Sequence, residues 1–229
     1  MFQSESFFGQ FPIFRDLSHD ELQRLRNISL ERDIDQGEIL FHQNAPRHSV
    51  YFIRSGLVKI FKVSSEGDEQ IINILHSDEM FPHVGFFDET PNPATAITLT
   101  EAKIVSVPID EFELLLLEKP NMAIKVMKVI GEKLLDLQDR LQAIQSQDVF
   151  HRIVMMLIRF TNELGIKKST GEIYLQLPIT NAELASMIGV SRETVNRAFN
   201  RLKKENVMDY NRKEIHILDV EKLNQYWNQ

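Results

Sequence analysis

Apolar residues recur at Leu22, Leu25 and Ile28 within DLSHDELQRLRNISL, so the spacing predicts a short helix over 16–30 with Asp16 or Ser18 as its cap. From about 31 to 109 the pattern changes. GEILF, SVYFIRSG, LVKIFKV, EQIINIL, TAITLT and AKIVSVP are short β-branched or aromatic runs, separated by Gly37, Asn44-Ala45-Pro46, Gly56, Glu66-Gly67-Asp68 and Ser77-Asp78. Turn signals at roughly ten-residue intervals predict an antiparallel sandwich or roll. Helical period returns over 110–145. After IDEFELLLLEKP, Pro120 opens a long segment in which Ala123, Met127, Ile130, Leu134, Leu137, Leu141 and Ile144 stand 4, 3, 4, 3, 4 and 3 residues apart. That is an a/d seam, which meets a second helix, so a parallel homodimer is expected; the competing reading is a helix lying on the surface of its own roll. The polar stretch Gln145–Asp148 breaks the seam and reads as a hinge. The expected division is a sensor roll over 1–120, a dimerisation helix and hinge over 121–147, and a further domain over 148–229.

In that last part VFHRIVMMLIRFTNELG reads as a helix with Val149, Ile153, Met156, Leu157 and Phe160 on one face, KKSTGE as a loop and IYLQLP as a strand. Next, Thr180 followed by Glu183 forms a capping box, and Leu184, Ala185 and Ile188 make the inner face of a short helix. Gly189 supplies a turn and Ser191 caps a second helix. Val195, Ala198, Phe199 and Leu202 then fall at i, i+3, i+4 and i+7 and must face a core. Arg192, Glu193, Asn196, Arg197 and Asn200 are left on the opposite face. This is the helix-turn-helix plan. NVMDYNRKEIHIL reads as two strands joined by a turn at Asn211-Arg212-Lys213, a wing whose tip reaches phosphate. A solvated basic helix face is the plainer alternative. The capped helix pair, the wing and an outer face able to read bases favour DNA, since Arg bonds guanine O6 and N7 and Glu accepts from cytosine N4.

Charge sharpens this division. The net charge of the 229 residues is −7, yet residues 151–229 hold 12 Lys and Arg against 9 Asp and Glu, while residues 1–150 hold 14 against 24. An acidic front and a basic back suit different partners. With no cysteine, disulfides, thiolate zinc sites, cysteinyl iron–sulfur clusters and a thiol switch are excluded within the chain. No basic residue precedes Arg15, so the start does not read as a secretory signal, and no apolar run is long enough to span a membrane. A cytoplasmic protein without membrane attachment is expected. P-loop, nucleophile-elbow, HExxH and dinucleotide-binding motifs are missing, so an enzyme is not expected. His42, His48, His76 and His83 lack metal-site spacing and read as ordinary histidines.

ITNAELASMIG followed by VSRETVNR resembles the Crp/Fnr family of bacterial transcription regulators. GEILFHQN and VYFIRSGLVKIFKV are similar to the first half of that family's cyclic-nucleotide-binding-type roll. The resemblance covers nearly the whole chain. It implies an α+β protein: an N-terminal double-stranded β-roll, a long dimerisation helix and a C-terminal winged helix-turn-helix. It also implies a homodimer on palindromic double-stranded DNA, most often an activator working with RNA polymerase. In the catabolite-activator branch the matching Arg, Glu and second Arg read a TGTGA-type half-site; here they are Arg192, Glu193 and Arg197. The Fnr branch lacks an Arg matching Arg192, so a TGTGA-like half-site is expected. Thr180, Ser191, Asn196, Arg201 and Arg212 are expected to touch phosphate or support the readers.

The family's cyclic-nucleotide signature places a Glu on the ribose and an Arg-Ser pair on the cyclic phosphate. In PHVGFFDETPNPATA, aligned on Gly85-Phe86-Phe87, the Glu becomes His83, the Arg becomes Pro93 and the Ser becomes Ala94, with Thr95 adjacent. Where cyclic-AMP binders place Thr-Ser against the purine, this chain has Leu137-Gln138. Loss of the charge-assisted pairs argues against cyclic AMP of the usual kind. DEMFP is similar to the haem-binding branch, with Met80 and His83 in the loop, although an isolated loop histidine is as a rule hydrogen-bonded or solvated. A small organic effector, or none, is the expectation, with Phe81, Phe86 and Leu137 as candidate apolar lining that would serve equally as core. Alternatives are a cyclic-nucleotide- or haem-responsive regulator of the same family, or a cyclic-nucleotide-regulated interaction module that binds no DNA. FPHVGFF is also similar to the loop of Gram-positive regulators of arginine deiminase operons.

Overall fold

The expected first helix forms as α2 (His19–Ile28), with Ser18 Oγ accepting from the Glu21 N–H and Glu21 reaching back to the Ser18 amide. It follows a short helix α1 (Glu5–Gln10) and a 3-10 turn (Pro12–Phe14) that bury Phe7, Phe8 and Phe14. The computed structural model describes residues 5–15, 17–145, 148–168, 171–211 and 214–227. Asp16, the alternative cap, lies outside the described residues, as do Ser146 and Gln147 of the expected hinge. The helix stops two residues short of expectation, because Leu30 already pairs with Ser106 in a strand.

Eight strands follow: β1 (Leu30–Ile34), β2 (Ile39–Phe41), β3 (Ser49–Ser55), β4 (Val58–Val63), β5 (Glu69–Leu75), β6 (Met80–Phe81), β7 (Thr95–Thr98) and β8 (Ala102–Pro108). They make two four-stranded sheets ordered β1-β8-β3-β6 and β2-β7-β4-β5. The period of two along a strand sorts their side chains. Tyr51 and Ile53 of β3 face the interior between the sheets, with Ile34, Val58, Leu75, Phe81, Ala96 and Ile104. Val50 and Phe52 point the other way, as do Val105 and Val107, which stand opposite them across the β3–β8 ladder. That outer face is covered by α1, by α3 (Ile109–Glu118) through Phe112 and Leu115, and by α4 (Pro120–Gln145) through Met122 and Val126. Edge-to-face rings of Phe8, Phe11 and Phe52 fill this second core.

The helix α4 serves two faces, which corrects the simple seam. Ala123 and Ile130 pack partly against the roll's own core, whereas Met127, Leu134, Leu137 and Leu141 are all more than half exposed. Ile124 and Leu135 widen this exposed apolar stripe. The side chain of Ile144 lies outside the described residues. By contacts the chain forms two compact units, residues 1–68 with 72–136, and residues 137–229 with 69–71.

In the second unit Asp148 caps α5 (Val149–Leu164) by accepting from the Phe150 N–H, and Ile153, Met156, Leu157 and Phe160 are buried as the spacing demands. Val154 joins them, while Val149 is only half-buried. β9 (Ile166–Lys167) and β10 (Ile173–Gln176) lead to the helix pair α6 (Asn181–Ile188) and α7 (Arg192–Lys204), then to β11 (Met208–Tyr210), β12 (Glu214–Ile217) and α8 (Val220–Gln225). The four strands form one antiparallel sheet in the order β11-β12-β10-β9. The architecture is α+β: an N-terminal β-roll, a long helix and a C-terminal winged helix-turn-helix.

Candidate nucleic-acid interface

Both helices of the motif are fixed at their starts by their own side chains. Thr180 Oγ1 accepts from the Glu183 N–H, and the Glu183 carboxylate accepts from the Thr180 N–H at 2.8 Å. The turn between them is a Schellman end: Gly189 adopts φ +66° and the Val190 N–H reaches back to the Ala185 carbonyl. Ser191 Oγ then accepts from the Thr194 N–H and starts α7. Val195, Ala198, Phe199 and Leu202 are buried, and Arg192, Glu193, Arg197 and Asn200 are exposed on the opposite face.

This exposed face is ordered by contacts that spacing does not show. Arg197 Nη2 donates to Thr194 Oγ1 at 2.9 Å, and Thr194 shares a hydrogen bond with Ser191. Asn196 is drawn back to α6, where its Oδ1 accepts from Asn181 Nδ2 at 2.6 Å, so it supports the helix pair. Asn200 accepts from the Tyr210 hydroxyl, and the Tyr210 ring packs edge-on against Phe199, tying wing strand β11 to α7. Arg201 lies over the Phe150 ring at 4.1 Å and pairs with Glu205 at 3.1 Å, so it has internal partners besides any phosphate. Arg197, Asn200, Arg201, Lys204 and Glu205 line an open concavity of ≈ 390 Å³ beside the reading face. Glu193 stays ionised: its own backbone amide and the Ser191 hydroxyl hold its carboxyl below the usual range, helped by Arg192 and Arg197. At the wing, Asn211 Oδ1 accepts from the Glu214 N–H. Arg212 and Lys213 lie outside the described residues.

Within the roll, the candidate effector residues are divided between its two cores. Phe81 is buried between the sheets, stacked on Tyr51. Phe86 packs on Phe112 in the other core, because the loop turns it away from the roll interior. Leu137 and Gln138 are exposed residues of the second unit. Ala94 is buried without a polar atom to offer, and the hydroxyl of Thr95 is used by the Gln43 N–H. Met80 belongs to the helix-covered core. His83 is partly buried, and its Nε2 is buried without a partner among the described residues. Gly85 adopts φ +83° beneath a residue the sequence did not single out, Arg47, whose guanidinium bonds this loop.

Two family descriptions match the chain, a cyclic nucleotide-binding domain over residues 31–119 and a Crp-like helix-turn-helix domain over residues 151–226. The chain belongs to the Crp/Fnr family of transcription regulators. Among curated relatives, this Crp/Fnr regulator is 27% identical over 191 residues to a CRP-like cAMP-activated global transcriptional regulator of Mycobacterium tuberculosis, covering 83% of this chain and 85% of that one. It is also 27% identical to the transcriptional activator protein Anr of Pseudomonas protegens, over 82% of this chain and 76% of that one. Its fold is shared with FixK2 from Bradyrhizobium japonicum, with a TM-score of 0.76 and 18% identity over 87% of this chain and 97% of that one. A CooA mutant from Carboxydothermus hydrogenoformans superposes with a TM-score of 0.74 and 23% identity, over 98% of this chain and 99% of that one. The regulator is a DNA-binding transcription factor and not an enzyme. No helix among its described residues is long and apolar enough to cross a membrane.

A cyclic nucleotide is the ligand that the roll's family description implies. In this roll, Ala94 offers no polar side-chain atom, and the Val84 and Asp88 carbonyls accept hydrogen bonds from Arg47.

Proposed function

We propose that this regulator is a cytoplasmic homodimer that reads a palindromic DNA site with TGTGA-like half-sites and activates transcription together with RNA polymerase. Residues 1–120 form the sensor, 121–147 the dimerisation helix and hinge, and 148–229 the DNA-binding part. Arg192, Glu193 and Arg197 read bases. Thr180, Ser191, Asn196, Arg201 and Arg212 contact phosphate or hold the readers. The sensor does not take cyclic AMP in the usual way, although a relative from Mycobacterium tuberculosis is described as cAMP-activated.

The observation that carries the reading is the division of α7 into a buried apolar face and an exposed face bearing two arginines around an ionised carboxylate. Near DNA a carboxylate is repelled by phosphate and is of use against a base amino group, which makes the Arg-Glu-Arg set a reader and not a general anion patch. The dimer reading is supported by the exposed stripe Met127, Leu134, Leu137 and Leu141 on α4. Two readers related by a two-fold axis call for a palindrome.

The test is fluorescence anisotropy of wild type and Arg192→Ala on a panel of half-sites, each substituted at one base pair. The variant should lose about 1–3 kcal/mol on the preferred site and stop discriminating at one position. Unchanged sequence preference would remove Arg192 from the readers. No salt-sensitive binding to any duplex would favour an interaction module, since phosphate contacts release counterions.

A further inference from the structure

The turn Val84–Asp88 presents three acceptors to one arginine. Arg47 Nη1 donates to the Val84 carbonyl at 2.9 Å, and Nη2 donates to the Asp88 carbonyl at 2.9 Å and to Asp88 Oδ1 at 2.6 Å. The Arg47 side chain is 3% exposed. Its guanidinium fills the space above Gly85: a Cβ added there would lie 0.9 Å from Nη1. Two amides of this loop are already used by carboxylates, the Phe87 N–H by Glu113 at 2.6 Å and the Thr90 N–H by Asp88 at 2.8 Å. The segment carrying Arg47 is fastened to the same loop. The Asn44 N–H donates to the Asn92 carbonyl, the Asn92 N–H donates to the Ala45 carbonyl, and Asn92 Nδ2 reaches the Pro46 carbonyl. Two carbonyl dipoles and a carboxylate converging on one planar cation form a fork that matches a guanidinium and repels a phosphate.

We infer that the Val84–Asp88 turn is a guanidinium-binding site and that Arg47 is its built-in ligand. The loop that cradles an anion in cyclic-nucleotide binders is a cation cradle here. A tethered ligand acts at high effective concentration, so the loop is ordered without a small molecule. Once the Arg47 side chain is removed, the site takes a free alkylguanidinium. The inference rests on the roll alone, and its test involves no DNA, so it stands or falls apart from the base-reading proposal.

Full-length Arg47→Ala, melted in 0–20 mM methylguanidinium chloride and in methylammonium chloride at equal ionic strength, decides it. The variant should melt several degrees below wild type. Methylguanidinium should raise that melting point saturably, methylammonium should not, and wild type should respond to neither. A variant that melts like wild type, or that answers both cations equally, overturns the site. Stabilisation of the variant by cyclic AMP also overturns it, since the loop would then be an anion site that Arg47 merely blocks. Arginine-selective labelling with phenylglyoxal, mapped by peptide mass spectrometry, tests the site even if Arg47→Ala does not fold. Arg47 should label at least tenfold more slowly than Arg192 in wild type and should gain reactivity in Asp88→Asn and in Gly85→Ala. Equal labelling of Arg47 and Arg192 in wild type would sink the inference.

Discussion

Burial holds the His83 imidazole down to a pKa of about 4; the Lys133 ammonium pushes in the same direction and the Glu79 carboxylate opposes it. Between pH 4 and 6.5 the folded ring is therefore neutral while the unfolded ring takes a proton. The unfolded state binds more protons in that window, so stability rises with pH and is lost as pH falls from 6.5 towards 4. The slope is at most about 1.4 kcal/mol per pH unit. The urea midpoint of wild type should fall relative to that of His83→Gln between pH 7 and pH 4.5; parallel curves would place the titration elsewhere. Asp88 does not blur the measurement. Its carboxyl is lowered to about 2, first by the Thr90 hydroxyl and amide and then by Arg47, so its contribution is lost below pH 3.8. Glu193, whose pKa is also lowered, is a full carboxylate throughout the neutral range, the state a cytosine amino group requires.

A run of three hydroxyl and guanidinium contacts gives α7 its working face: Ser191 caps the helix, its hydroxyl meets Thr194, and Thr194 holds Arg197. Ser191→Ala should cost about 1 kcal/mol of stability in urea unfolding, the usual loss for a cap. It should also weaken DNA binding at concentrations where the protein remains folded. Loss of stability with unchanged DNA affinity would limit Ser191 to the cap. The two helices were legible because period, caps and a glycine turn are all local in sequence. Other elements were not. β1 is largely polar, with only Ile34 buried, and is defined by its pairing with β8. β6 and β9 are two residues each, too short for any period. Phe7, Phe8, Phe11 and Phe14 could have revealed the apolar face shared by α1 and the 3-10 turn after it, although Pro12 interrupts a single helix there. In α4 the heptad count assigned Ala123 and Ile130 to a partner helix, but two surfaces compete for one helix and the roll's core takes them. Arg47 is invisible to such reasoning, because its partners stand 37 and 41 residues away and a lone arginine in a turn normally reads as solvated.

At the scale of the molecule, association and DNA reading should fail together. Leu134 and Leu141 are exposed on α4 and are absent from both roll cores, so charging them spares each unit's interior. Leu134→Lys with Leu141→Lys should give a folded monomer by light scattering that has lost affinity for a palindromic site. A double variant that remains a dimer would show that the subunits meet elsewhere. The acidic front and basic back fit such a molecule, since charge on the reading end draws it to DNA while the remainder keeps non-specific binding low.

The sequence contains one tryptophan, Trp227. It follows α8, and its indole lies 4.6 Å from the ring of His151 on α5, while neighbouring Tyr226 meets Phe150 edge-on. Phe150 is also the ring on which Arg201 of α7 rests. The protein's intrinsic fluorescence at tryptophan wavelengths therefore arises from a single emitter within the DNA-binding unit. Emission reports on the seating of α8 against α5, close to the base of the recognition helix, and the roll is spectroscopically silent at those wavelengths. The regulator comes with its own optical probe, placed on the half that meets DNA.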